Sequence, residues 1–143
     1  MTTERIVESL GGQRALRRAP ADMEALKERL RRGLPFAALA AVMRRYELSP
    51  DEVAKILALP ARTLARRRVE QRLRADESDR LFRVSRIAVL AEATLGTRER
   101  AVQWLRRPHR ALRNQRPLRQ LDTELGSRQV EDILVRAAHG VYS

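Results

Sequence analysis

At 143 residues and 43% hydrophobic content, with only 3% aromatics, the chain suits one domain or two very small ones built on a Leu, Val, Ile and Ala core. The absence of cysteine excludes disulfides, zinc–thiolate sites and thiol nucleophiles, and no stretch nears the roughly 18 apolar residues of a membrane span. The formal charge of +12, carried by 28 Arg with only Lys27 and Lys55 beside them, points to an anionic partner, most simply nucleic acid.

Apolar residues recur with period 3.6 along the whole chain and nowhere with period two, which predicts an all-α fold. Gly11 and Gly12 set off residues 1–20 as a separate N-terminal segment, expected to be mobile. Met23, Leu26 and Leu30 form one stripe that Gly33 ends, and Pro35 starts a helix with Phe36, Leu39, Ala40, Met43 and Tyr46 on one face. Ser49, Pro50, Asp51 and Glu52 read as a capping box with Pro at the first helical position. The helix they open carries Val53, Ile56 and Leu57 toward the core. Ala58, Leu59 and Pro60 break it, and a basic helix follows.

A linker is expected near residues 74–76, with Asp76 capping a long helix over 76–95. Its apolar run 87–91 marks it either as a dimerisation surface or as the core that joins two halves. Gly96 ends it, Thr97 caps the next helix, and that helix stops before Pro108. Residues 117–121 read as a short helix. Asp122 or Thr123 caps the last one, whose inward stripe is Val130, Ile133, Leu134 and Ala137. The resulting division is 1–20, a helical unit over 21–75 and a second over 76–143. Each unit is small enough that mutual packing or dimerisation is needed.

Residues 49–69 have the form of a helix-turn-helix: a capped helix, a tight break and a basic second helix. In such a unit the second helix places its N-terminal residues against base edges in the major groove. Arg62, Thr63, Arg66, Arg67 and Arg68 are the candidate DNA-binding residues, with Arg62 and Arg66 on one face. Leu64 is expected to turn inward against Val53 and Ile56. Six Arg oppose one Glu between positions 61 and 74, a surplus suited to phosphates. No aromatic residue accompanies them, which argues against readers of RNA loops. A second basic stretch, 106–119, is either another nucleic-acid patch or a solvated loop.

Catalytic chemistry is missing. His109 and His139 lie in separate elements without metal-ligand spacing, no glycine-rich phosphate loop exists, and Glu131 and Asp132 are adjacent and cannot converge on one point. His109 is expected in an exposed loop. His139, in a last helical turn, suits the negative end of the helix dipole. Trp104 fits either a core position or an anchor for a partner. The chain therefore reads as a binding protein rather than an enzyme, with no catalytic residues, no metal, no cofactor and no small-molecule substrate.

Two runs carry a resemblance. Trp104, Leu105, Pro108, Ala111 and Leu112, followed by Pro117, Leu118, Leu121, Asp122, Thr123, Glu124 and Gly126, resemble the toxin-binding domain of the MbcA/ParS/Xre antitoxins. Val130, Glu131, Leu134, Arg136 and the stretch 139–143 extend the match. The front, around Gly33, Leu34, Pro35 and the run 62–67, is similar to the Xre-type helix-turn-helix that precedes that domain. One departure is Arg113, Asn114, Gln115 and Arg116, where relatives tend to carry small, glycine-rich residues.

The resemblance implies an antitoxin of a bacterial type II toxin–antitoxin pair, cytoplasmic and tending to homodimers. Its partners would be a RES-domain, NAD-consuming or ADP-ribosylating toxin and operator double-stranded DNA. The front domain would repress the operon. Trp104, His139, Gly140, Val141, Tyr142 and Ser143 would bind the toxin, Tyr142 and the terminal carboxylate of Ser143 suiting a site built for a negatively charged dinucleotide. A stand-alone helix-turn-helix regulator, whose second half dimerises or binds another partner, is the alternative.

Overall fold

The computed structural model describes residues 3–140. Among these residues the fold is all-α: α1 (Thr3–Ser9), α2 (Gly12–Leu16), α3 (Met23–Arg32), α4 (Phe36–Tyr46), α5 (Pro50–Ile56), α6 (Ala61–Glu70), α7 (Ala75–Leu95), α8 (Arg98–Arg106) and α9 (Glu124–Ala138). Two 3-10 turns, Arg110–Leu112 and Pro117–Asp122, connect α8 to α9.

Local chemistry sets most of these boundaries. Asp22 begins α3 by accepting the Ala25 N–H at 2.8 Å. Thr97 begins α8 by accepting the Arg100 N–H at 3.1 Å, and Thr123, rather than Asp122, begins α9 by accepting the Gly126 N–H at 2.9 Å. Each side chain satisfies one of the amide donors that a helix start leaves open. Asp76 does not cap α7. The helix starts at Ala75, and Glu77 reaches back to the Arg74 N–H at 2.8 Å.

The long helix α7 is the axis of the molecule. Leu81, Val84, Ile87, Ala88 and Ala91 are all buried, and α7 packs against α1, α3 and α4 as well as α8 and α9. Of the two roles open to its apolar run, joining the halves is the one it fills. One apolar cluster runs from Ile6 through Leu39 and Ile87 to Leu134. Polar ties cross it: Arg45 and the Tyr46 hydroxyl converge on Glu92, at 2.9 and 2.5 Å. Burial, followed by the Glu92 carboxylate, pushes the Tyr46 hydroxyl's pKa far up, so it stays a proton donor there.

Residues 3–20, expected to be part of a mobile segment, are not an appendage. Ile6, Val7, Leu10 and Leu16 are buried, with α1 on α7 and α2 on α4. The Gly11–Gly12 pair is a tight turn instead of a hinge. Gly11 sits at φ 98°, and a Cβ there would overlap the Cβ of Ala15, so glycine lets α1 fold back onto the bundle.

Candidate functional site

The front candidate is built on α5, a turn and α6. Ser49 Oγ accepts the Glu52 N–H at 3.1 Å while Glu52 Oε1 accepts the Ser49 N–H at 2.8 Å, a complete capping box with Pro50 at the first position. The turn closes through Leu57 N–H to Val53 O at 2.8 Å and Leu59 N–H to Ala54 O at 2.8 Å. Ala58 takes the left-handed conformation at φ 53°. Buried Leu57 and Leu59 anchor the turn, and Pro60 leads into α6.

An unusual tie holds α6. Its one buried side chain is Arg67, 3% exposed. The Arg67 Nε donates to both oxygens of Glu77, at 2.8 and 3.0 Å, and Nη1 donates to Glu70 at 3.2 Å. Burial pushes the Glu77 carboxyl up, but Arg67 and the Arg74 N–H outweigh it and hold the pKa below the ordinary value. The hydrogen bonds that Arg67 donates to Glu77 likewise raise its own pKa against the cost of its burial. A buried charge needs such a partner.

This corrects one candidate. Arg67, expected to face DNA, is enclosed and paired, so it cannot reach a groove. Arg62, Arg66 and Arg68 are exposed and Thr63 is half-buried. Arg62 and Arg66, one turn apart, point outward together. Leu64 is partly buried against the core, and it lines an open apolar recess with Phe36, Met43 and Leu48 rather than closing fully inward.

The rear candidate is the segment 98–140. Trp104 is partly buried against the core, its ring 4.7 Å from that of His109 and tilted by 43°. His109, expected to be exposed, is half-buried; its Nε2 lies 3.3 Å from the Trp104 carbonyl oxygen. The loop beyond closes through His109 N–H to Gln115 O at 3.1 Å and Asn114 N–H to His109 O at 2.8 Å. Arg113 and Asn114 are both left-handed, φ 56° and 62°. Glycine suits such positions better than either side chain present here.

Gly126 explains another part of the motif. A Cβ at this position would run into the Gln120 carbonyl oxygen, so glycine lets the first turn of α9 lie against the 3-10 turn before it. The inward stripe of α9 is Val130, Ile133 and Leu134. The opposite face leaves Leu125 73% and Val135 40% exposed, on one side with exposed Arg128, Asp132 and His139. The sequence reading missed this mixed apolar face. A search for apolar residues off the core stripe of the last helix finds it. Gly140, at φ 69°, ends the described residues, and the candidates Val141, Tyr142 and Ser143 lie outside them.

The basic stretch 106–119 divides. Arg106 is structural: it donates to both oxygens of Glu52, at 2.6 and 3.0 Å, and to the Glu47 carbonyl oxygen. Hydrogen bonds from Arg106, aided by the Ser49 N–H, lower the pKa of Glu52 to about 2 against its burial. The same carboxylate therefore caps α5 and fastens it to α8. Arg107, Arg110, Arg113, Arg116 and Arg119 remain exposed. Among the described residues no three His, Asp or Glu side chains are placed to hold a metal, and no helix is long and apolar enough to cross a membrane.

Residues 25–86 match a family described as the antitoxin Xre-like helix-turn-helix domain. Residues 90–140 match the antitoxin Xre/MbcA/ParS C-terminal toxin-binding domain. The chain is 40% identical over 108 residues to the antitoxin Xre of Pseudomonas putida, covering 73% of this chain and 67% of that protein. It is 33% identical over 94 residues to the antitoxin Xre of Yersinia enterocolitica, 64% of each chain. With the antitoxin Xre of Photorhabdus laumondii it shares 30% identity over 116 residues, 80% of this chain and 78% of the other. A helix-turn-helix pinned to a shared central helix, followed by a compact helical unit, is thus matched part by part, and the chain belongs to the Xre antitoxin family, with a helix-turn-helix domain ahead of a toxin-binding domain.

Proposed function

We propose that this antitoxin binds a RES-domain, NAD-consuming toxin through its C-terminal domain, blocks the toxin's active site, and represses its own operon by binding operator DNA as a homodimer in the bacterial cytoplasm. It acts by binding and not by catalysis. The observation that supports the DNA half is the outward pair Arg62 and Arg66 on a helix whose own Arg67 is locked to Glu77. Arg forks suit guanine edges and phosphates, and Thr63 and Arg68 flank them. A homodimer gives two such helices, one for each half-site.

The toxin half rests on the family match over residues 90–140 and on the exposed face of α9 ending in His139 and Gly140. Trp104, partly buried, shapes this unit from within. The tail residues Val141, Tyr142 and Ser143 are the proposed contacts with the toxin's active site.

Two variants separate the halves. Arg62→Ala with Arg66→Ala is expected to lose operator binding in a gel-shift titration while still neutralising the toxin in a growth assay. Deletion of residues 140–143 is expected to do the reverse. Full neutralisation by the truncated protein overturns the tail proposal. If no toxin gene adjoins this one and no toxin co-purifies with the protein, the toxin assignment is overturned and a stand-alone regulator is favoured. Sedimentation at micromolar concentration tests the homodimer.

A further inference from the structure

A second basic surface lies at the C-terminal end of α6. The ends of α2, α3 and α6 enclose an open recess of about 650 Å³ whose walls carry Arg14, Arg17, Arg18, Arg29, Arg32 and Arg72. Glu70 is the one acid on these walls, and it is already paired with Arg67 at 3.2 Å.

The six arginines have two different roles. Arg29 donates to the carbonyl oxygens of Leu16 and Arg18, the latter at 2.5 Å, and Arg72 donates to Gly33 O at 2.7 Å. These two close helix ends whose carbonyls have no partner within the helix. Arg14, Arg17, Arg18 and Arg32 are exposed and engage no carboxylate or carbonyl among the described residues. Helix capping accounts for two arginines and leaves four without an internal reason.

Backbone geometry adds an independent sign. Arg17 stands at φ 61°, ψ −86°, a region that residues with a side chain rarely occupy. Strain of this kind gathers at functional positions. Here it turns the chain between α2 and α3 and sets Arg17 and Arg18 side by side on the recess.

We infer that this recess holds the sugar–phosphate backbone of duplex DNA beside the groove that α6 enters. The inference rests on the reading of α6 as the groove-reading helix. Continuity carries it: Glu70, the last residue of α6, its C-cap Gln71 and the next residue, Arg72, all line the recess wall. A ten-residue helix is about 15 Å long, and the major groove is about 12 Å wide. With Arg62 and Arg66 at the bases, the far end of α6 emerges at a flanking strand. Four free guanidinium groups spread over an open surface match successive phosphates better than one compact anion. Such contacts add affinity without sequence preference.

The test compares Arg17→Ala/Arg18→Ala/Arg32→Ala with Arg62→Ala/Arg66→Ala. Each full-length protein is titrated with its own promoter fragment and with a scrambled duplex of equal length, over a series of salt concentrations. The recess variant is expected to bind both duplexes about 10- to 100-fold more weakly, with the slope of log K against log salt shallower by roughly 2 to 3. Its melting curve should match the parent, because the three side chains are unpaired. Replacement of the same three residues by Lys should keep most of the affinity, since the charges remain. The α6 variant is expected to lose its preference for the promoter. If only the α6 variant is impaired, the recess inference is overturned and the reading of α6 stands. If the recess variant loses promoter binding alone, the recess reads sequence and phosphate holding is wrong. If neither variant changes, the reading of α6 fails and the inference falls with it.

Discussion

The helices α6 and α9 occupy corresponding places in the two halves of the chain, each the element with the exposed face, yet they are held by opposite means. α9 buries an apolar stripe of Val130, Ile133 and Leu134 against α7. α6 buries one side chain, and that is an arginine. Apolar burial is tolerant, because many contacts share the load. A buried ion pair depends on two groups and one geometry. The DNA-facing half is therefore the half whose position hangs on specific polar ties: Arg67 to Glu77 on α7, and Glu52 to Arg106 on α8. That arrangement leaves the outer surface of α6 free for arginines, at the cost of making its docking sensitive to single substitutions.

The largest expected effect breaks the α6 side. Glu77→Ala leaves buried Arg67 with only the half-exposed Glu70 as a partner and also frees the Arg74 N–H. The loss should be about 3–5 kcal/mol, read as a fall in the denaturant midpoint, with DNA binding lost. Replacing both partners, Arg67→Met with Glu77→Leu, should recover most of the stability, because an apolar pair fills the space without a stranded charge. If the single variant keeps its midpoint, the ion pair does not position α6.

The matching change on the α9 side is Leu134→Ala. Removing a fully buried leucine should cost about 2–4 kcal/mol through lost transfer energy and a residual cavity. The two sides should then part company in function. Leu134→Ala should weaken toxin binding while the surviving folded fraction still binds DNA, and Glu77→Ala should do the opposite. Fluorescence of Trp104, the only tryptophan, reports on the α9 side. A common loss of both activities in both variants would mean that α7 couples the halves too tightly to be separated. A smaller effect, about 1 kcal/mol, is expected for Ser49→Ala, which removes one half of the capping box and should be seen in the melting temperature alone.

The difference between α6 and α9 also marks where the sequence could be read. The caps at Ser49, Thr97 and Thr123, the break before Pro60 and the stripe of α9 are local signals, with cause and effect within a few residues. The fold class and the order of helices follow from them. The burial of Arg67 is not legible, for the opposite reason. Its partner Glu77 is ten positions away across a turn, and nothing in a run of arginines marks one of them as buried. The docking of residues 3–20 is hidden from the sequence in the same way. Gly11 and Gly12 signal a turn, but whether the chain folds back or swings free depends on Ile6, Val7 and Leu10 finding apolar partners on α7. The arginines of α2 and α3 carry no local signal either: their meeting with the end of α6 exists only in three dimensions.

The smallest expected effect concerns acid, and it separates the two polar ties of the α6 side. Glu52 has its pKa lowered from 4.5 to about 2, chiefly by Arg106. A carboxyl whose pKa is lower folded than unfolded binds fewer protons in the native state, so its contribution to stability is fully present above pH 4.5. The contribution is lost as pH falls from there toward 2. Glu77 shifts in the same direction. The melting temperature should be flat between neutral pH and about pH 5 and should fall below it. Glu52→Gln cannot ionise, so it should lose on the order of 1 kcal/mol at neutral pH, roughly 3 °C in melting temperature, and should show a shallower fall in acid. Arg106→Gln should reproduce that shallower slope without touching the cap, because Glu52 still accepts the Ser49 N–H. If both variants keep the full acid dependence of the parent, the bridge from α5 to α8 contributes little, and the acid sensitivity of the DNA-facing half belongs to Arg67 and Glu77 alone.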